Sequence, residues 1–156
     1  MNKIRDWLYI GKYRETTQKA LLDAYHISAL LHLAENVQHE GIQTLYLPVD
    51  DGGLVAPDKL KQGIDFICEQ KTQGKIVMSA CGAGISRSTT FAMGALMQIE
   101  QLGLWDAYHA ILVHHPDAMP HYQLLISLAN YHKMELSELS AAEKTMEIFL
   151  IYQRRK

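Results

Sequence analysis

Lys75-Ile-Val-Met-Ser-Ala80-Cys81-Gly-Ala-Gly-Ile-Ser-Arg87-Ser88 is the stretch on which the fold turns. Its first half, Lys75–Ala80, is a largely apolar run that reads as a strand, set off by the breaker Gly74. Its second half is a loop of small residues that runs straight into a helical pattern. Gly82 and Gly84 let the backbone curl, so that successive N–H groups turn inward as a nest for an anion. The helix that follows adds its positive amino end. Arg87 can close the ring with a planar fork of donors suited to phosphate. Cys81 would lie on the floor of that cup, where positive potential favours the nucleophilic thiolate. A nucleophile beneath a bound oxyanion implies phosphoryl transfer.

Outward from this stretch, the amino-terminal half alternates strands and helices. Trp7–Ile10 reads as a short strand, 15–25 as a helix, Ile27–Leu33 as a buried strand and Thr44–Val49 as another. The breakers Asp50-Asp51-Gly52-Gly53 close that strand. Pro57 opens a helix at its favoured first-turn position, with Leu60, Ile64, Phe66 and Ile67 on its apolar side, and Gly74 ends it. Beyond Ser88 the pattern is helical over 88–102, 104–114, 120–132 and 138–155, with a capping box at Ser140-Ala-Ala-Glu143. Strands mixed with helices, followed by helices alone, predict an α/β domain. A central, mostly parallel sheet of 4–5 strands would be flanked by helices, with a helical carboxyl-terminal half. The nest then sits at the carboxyl end of a strand, where open α/β sheets place ligands.

The 156 residues read as a single domain, with a net charge of −2 that gives no bulk electrostatic reason to expect nucleic acid or a membrane surface. No apolar run reaches the roughly 18–20 residues of a membrane span. The first residues lack the apolar core of a signal peptide. Two cysteines, Cys68 and Cys81, indicate no disulfide framework, so the default location is cytoplasmic. His109, His114, His115 and His121 fit no metal-ligand spacing and read as scattered helix histidines; no metal or cofactor is expected.

The run Cys81-Gly-Ala-Gly-Ile-Ser-Arg87-Ser88 resembles the signature of the cysteine-dependent protein tyrosine phosphatases, and most closely that of the dual-specificity branch. Similarity extends over about 4–132, through Trp7-Leu-Tyr-Ile-Gly11, Tyr46-Leu-Pro-Val-Asp-Asp51, and Asp106-Ala-Tyr108 to Pro116 and Pro120. Residues 133–156 are expected to add an extra carboxyl-terminal helix and have no assigned counterpart. The resemblance implies that Cys81 is the nucleophile of a phosphocysteine intermediate and that Arg87 binds phosphate. Main-chain N–H groups of Gly82, Ala83, Gly84, Ile85 and Ser86 would join it. It also implies that Ser88 eases departure of the thiolate, and it selects Asp51 over Asp50 as general acid and base. The expected partner is a phosphorylated protein or peptide, with phosphate-like oxyanions held in the loop. The nest lacks the extra basic groups of lipid- or RNA-directed relatives, and no insertion deepens the cleft for phosphotyrosine alone, so dual specificity is the expectation.

Each role has a plainer competitor. Cys81 could be structural core, Arg87 a surface ion pair, Ser88 a helix cap, and either aspartate a turn former. One position departs from the family: Ala80 stands where a histidine normally precedes the nucleophile. That removes a hydrogen bond and a cationic neighbour of the thiolate, and it motivates an alternative, a phosphoresidue-binding module with little turnover. His121 is the candidate to compensate from the supporting layer. A redox or sulfur-transfer role for Cys81 is a third reading, disfavoured by Arg87-Ser88 and Asp51. Cys68, Met93, Met97, Trp105 and Tyr108 read as packing. The sequence leaves monomer and homodimer equally open.

Overall fold

A computed structural model describes residues 1–134. The helix expected over 138–155, with its capping box, lies outside them. The elements run β1 (Asn2–Arg5), β2 (Leu8–Lys12), α1 (Tyr13–Thr16), α2 (Lys19–Ala24), β3 (Ile27–His32), β4 (Gln43–Tyr46), α3 (Pro57–Thr72), β5 (Ile76–Cys81), α4 (Arg87–Glu100), α5 (Leu104–Leu112) and α6 (Tyr122–Tyr131). The five strands form one sheet in the order β1-β2-β5-β3-β4. Only β1 runs antiparallel to its neighbour; β2, β3, β4 and β5 are parallel. This is the α/β architecture the sequence predicts. Among the described residues no helix is long and apolar enough to cross a membrane.

Alternation along β5 sends its side chains to two different layers. Val77 and Cys81 join the main core with Leu8, Ile10, Leu31, Ile64, Phe91 and Leu128, on the side covered by α3, α4, α5 and α6. Met78 and Ala80 join a smaller cluster with Tyr9, Leu22 and Leu30, beneath α2. Gly63 and Gly94 let α3 and α4 pack tightly: a Cβ on the first would stand 2.3 Å from Phe91 and on the second 2.4 Å from Ile64.

Three local readings need correction. The helix expected over 15–25 is broken in two. Thr16 and Thr17 hydroxyls donate back to the carbonyls of Tyr13 and Arg14, and the Gln18 amide also reaches Arg14, so the chain turns before α2 begins. Strand β4 stops at Tyr46, because Pro48 offers no N–H; Leu47 and Val49 still donate to His32 and Leu33 at 2.8 and 3.0 Å. The helix expected over 104–114 ends at Leu112, ahead of Pro116. Strand β1 adds to the elements that the apolar pattern marks. It is a four-residue edge strand, tied to the end of α4 by a two-pronged Arg5–Glu100 pair at 2.8 and 2.9 Å.

His32 is buried at the end of β3, with Nε2 lacking a partner among the described residues, and burial pushes its pKa below the ordinary 6.5. The folded protein therefore protonates this imidazole at lower pH than the unfolded chain, which does so near 6.5. Below that pH the unfolded state binds more protons, so stability falls on acidification. Urea midpoints measured from pH 7 to pH 5 are expected to decline in the wild type and to decline less in His32→Leu; equal slopes would remove His32 from the account.

Candidate active site

The loop after β5 is held open by its carbonyls. The Gly84 carbonyl accepts from His115 Nε2 at 2.7 Å. The Ile85 carbonyl accepts from the Thr89 hydroxyl at 2.7 Å and from Met119 N–H at 3.0 Å. The Ser86 carbonyl accepts from Thr90, through both hydroxyl and N–H, at 3.0 Å. In a planar trans peptide the C=O and the next N–H point opposite ways. Three carbonyls tied outward therefore turn the N–H groups of Ile85, Ser86 and Arg87 to the other side, into the cup. No main-chain N–H from Gly82 to Ser86 donates a hydrogen bond among the described residues. Gly84 has φ +71, and a Cβ there would stand 2.9 Å from the Gly11 carbonyl, so β2 and the loop touch only because residue 84 is glycine.

Cys81 closes β5 with its thiol 3.2 Å from the hydroxyl of Ser88, both buried. Arg87, the first residue of α4, reaches back across the loop: a Cβ on Gly82 would lie 3.4 Å from its Nη2. Its Nη1 donates to the Val49 carbonyl at 3.0 Å, while its Nε is buried with no partner among the described residues. A buried guanidinium N–H without an acceptor is costly unless an anion completes it. Asp51 stands beside it, Oδ2 at 3.7 Å from Arg87 Nη2, and its other oxygen is 3.7 Å from His121 Nε2. Asp50 is exposed and makes no ion pair or hydrogen bond among the described residues. The structure thus brings Cys81, Arg87, Ser88, Asp51 and the loop from Gly82 to Ser86 together.

The supporting layer differs from expectation. His115, read as a scattered helix histidine, is buried outside any helix. Since a carbonyl only accepts, His115 carries its proton on Nε2, and Nδ1 accepts from the Asn2 amide at 3.1 Å. The signal was available: a residue before proline is steered away from helix. His121 supports the loop through its main chain, donating to Ser86 Oγ at 3.0 Å, while its half-exposed ring faces Asp51. Ala80 lies on the face opposite the thiol, and its register partner on β3 is the buried His32. Cys68 is half-buried on α3, and burial pushes its thiol up to about 11, in keeping with packing. The Tyr108 hydroxyl donates to the Ala118 carbonyl at 2.7 Å, also as core.

Residues 8–134 match the family described as dual specificity phosphatase, catalytic domain, and the chain belongs to that family of protein phosphatases. It is 27% identical to human dual specificity protein phosphatase 22, over 88% of this chain and 77% of that one. It is 29% identical to human dual specificity protein phosphatase 1, over 90% of this chain but 40% of the longer relative. The crystal structure of human DUSP28 superposes with a TM-score of 0.79 at 19% identity, covering 85% of this chain and 96% of that one.

Gly84→Ala places a methyl group against the Gly11 carbonyl in a left-handed conformation that costs about 1–2 kcal/mol outside glycine. Affinity for vanadate, measured by isothermal titration, is expected to fall about tenfold or more. Unchanged affinity would show that the loop does not form the anion site.

Proposed function

We propose that the protein hydrolyses phosphate monoesters on phosphorylated proteins, acting on phosphotyrosine and on phosphoserine and phosphothreonine, through a covalent phosphocysteine. Cys81 Sγ attacks phosphorus in line and the bond to the substrate oxygen breaks. Arg87 Nε and Nη2 hold two equatorial oxygens, and the inward N–H groups hold the charge that spreads over them. Asp51 gives its proton to the leaving oxygen, then takes one from the water that attacks the phosphocysteine. The Ser88 hydroxyl donates to sulfur as the thiolate departs in this second step. The observation that carries the reading is the buried Nε of Arg87, without a partner among the described residues, on a side chain that reaches back to Gly82 beside the paired Cys81 thiol and Ser88 hydroxyl.

His121 Nε2, 3.7 Å from the Asp51 oxygen that Arg87 does not approach, would help orient the carboxyl group. Two free cysteines suit action in the reducing cytoplasm. Ala80 favours a second reading, a phosphoresidue-binding module with little turnover, because the histidine usual at this position in the family is missing.

Kinetics with 4-nitrophenyl phosphate and with a phosphopeptide separate the two. Turnover is expected to proceed in EDTA and to vanish in Cys81→Ser. Asp51→Asn is expected to lower kcat about 10²–10⁴-fold on the peptide, whose leaving group needs a proton, and less on the nitrophenyl ester. Asp50→Asn is expected to change neither rate more than twofold or so, since that group touches nothing at the site. Wild-type turnover at background, with phosphopeptide still bound, would favour the binding module.

A further inference from the structure

Beside the phosphate cup lies a second depression of about 420 Å³, lined by Lys12, Arg14, Glu15, Gln18, Leu21 and Gly82. Gly82 directly follows Cys81, so this depression and the cup share a wall. Lys12 ends β2 in register with Cys81, and its Cγ lies 3.2 Å from where a Cβ on Gly84 would be. Its side chain therefore rises from the rim of the anion loop.

The charges in this depression are unbalanced. Its carboxylate, Glu15, is already engaged: it accepts from the Lys12 main-chain N–H at 2.8 Å and pairs with the Met1 amine. Lys12 and Arg14 are exposed, and neither is paired with a carboxylate among the described residues. The sheet order places this positive rim and the acid-bearing loop on opposite sides of β5. β2 delivers Lys12 on one side, and the chain continuing from β4 delivers Asp51 on the other. A peptide lying across the cup thus meets a carboxylate on one flank and two unpaired cations on the other.

We propose that the Lys12–Arg14 depression is a second anion subsite, which receives an acidic side chain or a second phosphate within a few residues of the phosphorylated residue. The proposal rests on the phosphate-binding reading of the Cys81 loop. Each extended residue spans about 3.3–3.6 Å, so a group one to three positions away reaches from the cup into the depression. Leu21 supplies an apolar wall, which suits a side chain entering from a peptide rather than a free ion.

Fluorescence anisotropy on the Cys81→Ser protein tests it without requiring turnover. Phosphotyrosine peptides would carry alanine, glutamate or phosphoserine at the flanking positions, on either side. At low salt the acidic peptides are expected to bind about tenfold tighter than the alanine peptide, as two solvent-facing ion pairs allow. In Cys81→Ser with K12Q and R14Q that ratio is expected to fall to near one; as a ratio, it cancels any general loss of affinity. A gain with phosphoserine alone assigns the subsite to a second phosphate, and a gain with both assigns it to anionic side chains generally. Equal affinities for acidic and neutral peptides, or a preference that survives K12Q/R14Q, would overturn the subsite. Failure of every phosphopeptide to bind would overturn the phosphate loop itself, and absence of wild-type turnover on 4-nitrophenyl phosphate would count only against catalysis.

Discussion

Parallel pairing of β5 on both of its edges is the constraint from which the site follows. With β2 and β3 running the same way on either side, the carboxyl ends of all three strands open on one edge of the sheet, and the chain must leave there. The exit is a tight loop because α4 begins only six residues beyond Cys81 and must cover the core face. The same pairing brings Lys12 level with Cys81, and it lets Leu33 and Val49 extend the ladder toward the acid-bearing loop. Sheet order thus distributes charge around the cup before any side chain is considered.

The proposed anion site rests on the set of partners for the loop's carbonyls. His115, Thr89, Met119 and Thr90 take the acceptors on the outside, so the donors on the inside have no partner among the described residues. Arg87 shows the same division: one nitrogen is anchored to Val49, and Nε is buried without a partner among the described residues. A site organised in advance for a tetrahedral dianion need not rearrange when charge redistributes in the transition state. Under the proposed function, a bound oxyanion would offset the cost of leaving these buried donors without acceptors.

Much of this was legible in the sequence because it rests on local chemistry. Gly74 and Pro57 mark the ends of α3, and the spacing of Gly82, Gly84 and Arg87 marks the loop and the start of α4. The hidden parts are those set by contacts distant in the chain. Strand β1 is too short and polar to show a period, yet its Asn2 fixes the imidazole of His115, which in turn holds Gly84, over eighty residues from Asn2. The break between α1 and α2 depends on hydroxyls that compete for carbonyls, which an apolar period does not register. Asp50 and Asp51 are equivalent by type; only the return of Arg87 across the loop makes one of them its neighbour.

The account depends most on the grip of Arg87 and the loop amides on an oxyanion above the cysteine. A crystal structure of the protein with tungstate tests this most directly. The account predicts a tetrahedral ion above Cys81 Sγ, with Arg87 Nε and Nη2 donating to two of its oxygens and the N–H groups of Ile85 and Ser86 pointing at it. A loop that stays empty at saturating tungstate, with Arg87 Nε satisfied by a protein acceptor instead, would contradict it.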